Sequence, residues 1–241
     1  MKIAAIVPAY NEEKAITAVV NDILQTAQAQ SLSITVIVIN DCSKDSTSEI
    51  ISKLNCVALD LPINLGIGGA VQTGFKYAFE NDFDYAIQID GDGQHPASEI
   101  PKLINAAKEN NLDVVIGSRF ISNEGFQSSV VRRMGINYFK WLNRFLVGVT
   151  VNDSTSGFRL INKKVLEIVS DYYPDEYPEP EAIILYSLNK LKIGEVSVSM
   201  RERQGGVSSI GATSSIYYMF KVSLAIFYTF IRIKFKKQNH G

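Results

Sequence analysis

Two carboxylates one residue apart, Asp90 and Asp92, emerge from the end of an apolar run over residues 84–89, within the stretch Asp90-Gly91-Asp92-Gly93-Gln94-His95-Pro96. Hard divalent cations such as Mg²⁺ or Mn²⁺ take oxygen ligands, and a carboxylate pair leaves coordination positions open for phosphate oxygens. Gly91 and Gly93 permit a sharp turn and a close backbone approach to a ligand, and Pro96 favours a helix start just beyond the loop. An acidic turn between strand and helix has the same composition, so the setting of the pair decides its meaning. With His95 and His240 as the only histidines, there is little from which to build a histidine zinc site or a Ser-His-Asp hydrolase. Metal chemistry here must use oxygen ligands.

The acids need elements to position them, and the chain supplies short apolar strands alternating with helices. Residues 2–7, 33–39, 56–61, 84–89 and 113–117 read as strands. Helices are expected over 11–30, 45–54 and 68–81, the first with Asn11 as N-cap and Glu12 and Glu13 in its first turn. That alternation predicts an α/β domain with a mainly parallel sheet flanked by helices. Ligands gather beyond the carboxyl ends of such strands. The polar clusters 8–12, 40–45 and 90–94 all follow strands and should therefore share one sheet edge. Farther on, 130–149 reads as a largely apolar helix, followed by the segment 156–161, a helix over about 179–191 and a strand over 195–200. The glycines of Leu65-Gly66-Ile67-Gly68-Gly69-Ala70 follow the third strand and lack a P-loop lysine. They fit neither a dinucleotide fingerprint nor a P-loop, and either serve close helix packing or lie near a nucleotide.

At 241 residues and 46% hydrophobic composition the chain can bury a large core. We expect a catalytic domain over residues 1–210 and an appended helix over 211–241. The net charge of −1 hides an asymmetry, because residues 201–241 carry seven Lys and Arg against Glu202 alone. That segment is +6, the remainder −7, and such a tail suggests an anionic partner. Cys42 and Cys56 are too few for a disulfide framework, and no signal-like segment opens the sequence, so it reads as intracellular. Residues 216–233 are strongly apolar, but Lys221 and Arg232 bracket only ten uncharged residues, short of the roughly 20 a spanning helix requires. An amphipathic helix lying on a membrane surface is expected, with Lys221, Ala225, Thr229, Arg232 and Lys236 as its polar stripe; a helix packed on the core is the alternative.

Taken in order, the motifs Ile6-Val7-Pro8-Ala9-Tyr10-Asn11-Glu12-Glu13, Asn40-Asp41-Cys42-Ser43-Lys44-Asp45-Ser46-Thr47, the glycine run, Asp90 to Pro96, Gly117-Ser118-Arg119-Phe120, Ser156-Gly157-Phe158-Arg159 and Arg203-Gln204-Gly205-Gly206-Val207-Ser208 carry a family resemblance. The chain resembles the family 2 glycosyltransferases of the GT-A fold, most closely the branch containing dolichol-phosphate mannose synthase. The resemblance implies inverting transfer of a hexose from a nucleotide diphosphate sugar, UDP- or GDP-linked, with Mg²⁺ or Mn²⁺ offsetting charge on the departing diphosphate. It implies Asp90, Asp92 and Gln94 as metal ligands. Pro8, Tyr10, Glu12, Asp41, Gly69, Asp90 and Gly91 would line the nucleotide pocket, Glu12 suiting a ribose hydroxyl and Asp41 a base N–H. Asp92 and Arg203 would serve catalysis, Arg203 from a loop over the diphosphate. The family usually places Asp-Asp-Gly-Ser where this chain has Asn40-Asp41-Cys42-Ser43, so the loop carries a cysteine in place of glycine.

For the acceptor, the resemblance implies that Arg119, Arg133, Asn137 and Ser208 grip the phosphate of a polyprenyl phosphate at the cytoplasmic face of the membrane. A phosphate needs no general base, whereas a glycan hydroxyl does, and Asp153, Glu179 and Glu181 are the candidates for that alternative. Glu179 and Glu181 could equally begin the following helix and meet its dipole. Two further function classes fit these residues less well. Nucleotidylyl transfer would want a basic glycine-rich loop after the first strand, where Pro8-Ala9-Tyr10-Asn11 stands. Nucleic-acid binding would want aromatics on an exposed strand platform, whereas here they lie in an apolar helix.

Overall fold

The computed structural model describes residues 1–121, 130–201 and 215–238; for 130–134, 136, 215–218 and 236–238 it describes the backbone alone. Seven strands form one sheet: β1 (Ile3–Ala9), β2 (Ile34–Asn40), β3 (Val57–Asp60), β4 (Tyr85–Gln88), β5 (Val114–Ser118), β6 (Arg159–Asn162) and β7 (Ile193–Ser197). Their order is β3-β2-β1-β4-β6-β5-β7. β1 to β4 are mutually parallel, and β5 runs parallel to β7. β6 runs antiparallel to both β4 and β5.

The sheet is covered on both faces, which is why its central strands read as near-continuous apolar runs. Every residue of β1 is buried. Its side chains alternate between two cores in the two-residue period of a strand. Ala4 and Ile6 meet α3 (Gly66–Glu80), α6 (Lys163–Asp171) and α7 (Pro178–Leu188) through Val71, Phe75, Val165 and Ile183. Ile3, Ala5 and Val7 meet α1 (Ile16–Ala29), α2 (Thr47–Ile51) and α4 (Ile100–Glu109) through Ile16, Val20, Ile51 and Leu103. A third, smaller core of Phe139, Ile184, Val222 and Ile226 joins α5 (Val130–Val147) and α8 (Ser215–Gln238) to α7.

Several expected boundaries shift for visible reasons. The first helix begins at Ile16 rather than at Asn11. Asn11 instead takes φ +57° in the turn, and its side-chain oxygen accepts a hydrogen bond from the Lys44 N–H. The polar residues of this turn are spent on a neighbouring loop, not on capping. A one-turn 3₁₀ helix (Ala97–Glu99) follows Pro96 as expected and leads into α4. α6 had no counterpart in the sequence reading; Asn162 caps it by accepting from the Val165 N–H.

The expected polar stripe of α8 does not face solvent as a unit. Thr229 is fully buried on the same face as Val222, Ile226 and Ile233. It donates to Glu181 Oε2 at 2.8 Å, while Phe220, Leu224, Phe227 and Tyr228 are exposed. Arg232 lies over the ring of Tyr172, 4.0 Å from its centroid. Among the described residues no helix is long and apolar enough to cross a membrane.

Candidate functional site

Because β2, β1 and β4 are adjacent and parallel, the loops leaving their carboxyl ends converge, and a cleft of about 600 Å³ opens between them. Pro8 lines it from the end of β1, Tyr10 and Glu12 from the loop after β1, Asp41 from the β2 loop, and Asp90, Gly91 and Asp92 from the β4 loop. Asn64, Gly66, Ile67 and Ala70 close it from α3. Most residues expected at a nucleotide pocket therefore meet in one place.

The β1 and β2 loops are knitted to one another. Asn11, Glu12 and Glu13 donate backbone N–H bonds to Ser43 Oγ, Thr47 Oγ1 and Asp45 Oδ2. In return, Glu13 Oε2 accepts from the Ser46 N–H. Burial pushes the Asp45 carboxyl up, but hydrogen bonds from Thr47 and Glu13 outweigh it and hold the group below the usual aspartate range. Cys42, where the family pattern has glycine, takes φ +59°, a conformation that favours glycine. Asn40 accepts from the Ser43 N–H and donates to Asp60 Oδ1 at 2.6 Å. An aspartate at position 40 would instead set two carboxylates against each other, which gives a physical reason for the asparagine.

Asp41 is buried and accepts from the N–H groups of Leu65 and Gly66, at 2.6 and 2.9 Å, so it caps the start of α3 while lining the cleft. Gly68 packs α3 against the chain beyond α6, since a Cβ there would fall 2.3 Å from the carbonyl oxygens of Pro174 and Asp175. Gly69 does not reach the cleft. It borders a separate depression with Leu65, Gln72 and Lys76, where a Cβ would meet the Leu65 side chain at 2.6 Å.

In the β4 loop Gly93 takes φ +78°, and a Cβ on Gly91 would lie 2.9 Å from the Pro8 carbonyl oxygen. Asp92 is buried, with Oδ1 accepting from the Gln94 N–H at 3.0 Å. The Asp90 N–H donates to Nδ1 of His95, which is stacked on Phe158. Gln88 Nε2 approaches Asp90 Oδ1 at 3.3 Å, and Gly157 lies against the same carboxylate, where a Cβ would come within 3.2 Å. Gln94 is only partly buried and does not line the cleft; its carbonyl accepts from the Arg201 N–H. Among the described residues no group of three or more His, Cys, Asp or Glu side chains is placed to hold a metal. Two carboxylates in an open cleft nevertheless fit a hard cation that completes its shell with diphosphate oxygens and water.

Beyond β5 lies a second cluster. Asp153 is fully buried and clamps Arg119, with Oδ2 accepting from Nε at 2.7 Å and from the backbone N–H at 3.1 Å, and Oδ1 accepting from Nη2 at 2.7 Å. Nη2 also donates to Thr155 Oγ1. Asp153, expected as a candidate general base, is engaged here with a permanent cation and has no exposed surface. Glu181, the other candidate of this kind, is buried beneath α8 against Thr229. Both Glu179 and Glu181 occupy the first turn of α7, the structural use foreseen for them. Burial raises the Glu179 carboxyl above the usual glutamate range, opposed by the Arg159 charge and assisted by that of Asp90. Asn137 is exposed on α5. The side chain of Arg133 lies outside the described residues, as do Arg203 and Ser208.

Residues 4–169 match the family model described as glycosyl transferase family 2. The chain belongs to that family. This family 2 glycosyltransferase is 33% identical over 213 residues to the UDP-N-acetylglucosamine–dolichyl-phosphate N-acetylglucosaminyltransferase of Methanococcus voltae, across 80% of the chain and 83% of the relative. It is 25% identical over 228 residues to the polyprenol monophosphomannose synthase of Mycolicibacterium smegmatis, across 90% and 84%. The two together assign the glycosyltransferase to the dolichol-phosphate sugar transferase branch. Its fold matches glucosyl-3-phosphoglycerate synthase from Mycobacterium tuberculosis, solved with Mn²⁺, UDP-glucose and phosphoglyceric acid, at a TM-score of 0.71 and 17% identity, covering 96% of this chain and 79% of that one. TarS of S. aureus, solved with UDP-GlcNAc, matches at a TM-score of 0.62 and 21% identity, covering 92% and 65%.

Sequence reasoning missed three positioning residues. Arg159 is buried, with Nε on the Ser156 carbonyl and Nη2 on the Ser154 carbonyl, and so shapes the loop behind Asp90. His95 supports the Asp90 backbone. Glu195 bonds the loop that carries Asp153.

Proposed function

We propose that this glycosyltransferase moves a hexose from a UDP- or GDP-sugar to a polyprenyl phosphate, with inversion, at the cytoplasmic face of the membrane. The observation that carries the choice of acceptor is the state of Asp153, the carboxylate that holds Arg119, together with that of Glu181 under α8. Asp153 is locked to Arg119 and Glu181 to Thr229, so neither can take a proton from a hydroxyl. An acceptor phosphate is already an anionic nucleophile and needs no base. Arg119 suits it, because Nη1 takes no part in the Asp153 clamp and the rest of the guanidinium is fixed in place.

On the donor side, Asp90 and Asp92 would hold Mg²⁺ or Mn²⁺, which when bound offsets charge on the departing diphosphate. Glu12 and Asp41 offer acceptors to the nucleoside, Tyr10 offers an aromatic face at the cleft mouth, and Gly91 keeps the floor open. The membrane face is formed by the exposed Phe220, Leu224, Phe227 and Tyr228 of α8 and Trp141 and Phe145 of α5, with Arg144, Arg232 and Lys234 also exposed on these helices. Amphipathic helices with aromatic and basic residues lie in the headgroup region.

A second reading, transfer to a glycan hydroxyl, keeps one candidate base. Glu179 has a carboxyl raised by burial near Asp90, the direction that suits proton abstraction. One assay separates the two readings. Purified protein with Mn²⁺ is offered UDP- and GDP-sugars with and without polyprenyl phosphate, and organic-extractable sugar is counted. Product only in the presence of polyprenyl phosphate, lost with EDTA and restored by Mn²⁺, is expected. Sugar appearing only on a glycan hydroxyl, with Glu179→Gln inactive, overturns the lipid-phosphate reading.

A further inference from the structure

Glu195 lies on β7, across from Ile116 of β5, and its carboxylate points into the loop that precedes β6. Oε2 accepts from the Asn152 N–H at 2.7 Å and from Asn152 Nδ2 at 2.9 Å, and Oε1 accepts from the Asp153 N–H at 2.9 Å. Two consecutive backbone amides are thus held by one side chain from a strand of the sheet. The second of them belongs to Asp153, whose own carboxylate fixes Arg119 through Nε, Nη2 and the backbone N–H. The outer end of the chain of bonds is on α5, where Lys140 Nζ donates to Asn152 Oδ1 at 2.6 Å.

We propose that Glu195 is a positioning residue for the acceptor, acting on Arg119 through Asp153. The proposal rests on the reading of Arg119 as the acceptor-phosphate ligand. An ionised carboxylate is acceptor-only and meets three N–H donors here. A glutamine in its place turns an NH₂ group toward at least one of those donors. Donor then faces donor, the 152–153 segment shifts, and the guanidinium loses its fixed direction. Glu195, Asn152 and Asp153 make their hydrogen bonds to one another, to Lys140, to Thr155 and to Arg119, not to Asp41, Asp90 or Asp92, and Arg159 holds the Ser154 and Ser156 carbonyls between the two regions, so the effect is expected on the acceptor rather than on the nucleotide sugar.

The test is the steady-state kinetics of Glu195→Gln, Arg119→Ala and the double variant, with a short-chain polyprenyl phosphate and the nucleotide sugar varied separately. Glu195→Gln should raise KM for polyprenyl phosphate about tenfold, the size expected from disturbing a hydrogen bond to a charged group, with KM for the nucleotide sugar unchanged. Arg119→Ala should raise the same KM at least as far, and the double variant no further, because residues acting in series are non-additive. If Arg119→Ala leaves the acceptor KM at the wild-type value, the reading of Arg119 fails and takes the proposal with it. An acceptor KM raised by Arg119→Ala but unmoved by Glu195→Gln, or equal rises in both substrates' KM, overturns the positioning role alone. Should Glu195→Gln not fold, Asn152→Ala decides. It removes the side-chain bonds to Glu195 and Lys140, and must raise the acceptor KM selectively for the proposal to stand.

Discussion

Around the cleft, the groups that matter sit on loops directly after β1, β2 and β4, and their hydrogen bonds join the first loop to the second, as in Asn11 to Ser43 and Glu12 to Thr47. Around Arg119, every supporting group comes from a distant stretch of chain: Asp153 from the loop before β6, Glu195 from β7, Lys140 from α5. The cleft is a property of parallel strand ends, set once the strand order is set. The Arg119 cluster depends on an antiparallel insertion, β6, which lies between β4 and β5 and is preceded by the loop that carries Asp153. A donor site common to a family can reside in the first kind of structure. The second kind can be rebuilt by exchanging long-range partners, which is where specificity for an acceptor can diverge.

The contrast breaks most sharply at Asp92. Asp92→Asn keeps the side-chain volume and an acceptor for the Gln94 N–H, so the fold and Tm should be retained. The lost charge should lower kcat by about 10³-fold, the scale of removing one electrostatic stabiliser of a leaving group. Near-normal turnover in a folded variant would falsify its role. The matching experiment at the other region is the Arg119 and Glu195 pair, expected to act on KM for the acceptor.

Next in size is the surface proposed to meet the membrane. Trp141→Ser with Phe145→Ser removes two large side chains that are 58% and 72% exposed, so the fold should be little affected. Binding to vesicles containing anionic phospholipid should weaken by about 2 kcal/mol, roughly thirtyfold, as measured by cosedimentation. Unchanged cosedimentation would remove α5 from the membrane face.

The two regions also differ in how far they were legible. Pro8, Tyr10, Glu12, Asp41, Asp90 and Asp92 could be placed together because each follows an apolar run and parallel strands put their ends on one edge. Gln94 could not be placed, since it follows Gly93 at φ +78° and its carbonyl accepts from the N–H of Arg201, far along the chain. Asp153 and Glu181 were legible as acids but not as partners, because Arg119 lies 34 residues from the first and Thr229 48 residues from the second. The direction of β6 was invisible for the same reason, an apolar run having no polarity. Thr229 was read as solvent-facing because helical spacing gives the faces of α8 but not which one α7 covers.

Within the cleft a smaller effect sharpens the comparison. Asn40→Asp should place a carboxylate against Asp60, which already accepts from Ser48 Oγ at 2.9 Å, and destabilise the protein by about 1 kcal/mol in urea titration. Adding Asp60→Asn should restore stability, because a donor again meets an acceptor. Failure of the double variant to recover would show that the asparagine serves the loop through Ser43 alone.

The smallest effect expected lies under α8. Burial raises the Glu181 carboxyl above the usual glutamate range, although the bond from Thr229 opposes it. The folded state therefore keeps a proton that the unfolded chain has released, in the window from the ordinary glutamate value up to the raised one. Where the folded state binds more protons, stability falls as pH rises. Glu181→Gln has no proton to lose and still offers an oxygen to Thr229. Its Tm should differ little from wild type below that window and exceed it above, as read by thermal melts at pH 4 and pH 8. A difference of equal size at both pH values would mean that folding does not change the proton affinity of Glu181, and a glutamine variant relatively less stable at pH 8 would mean that α8 is anchored by an ionised Glu181.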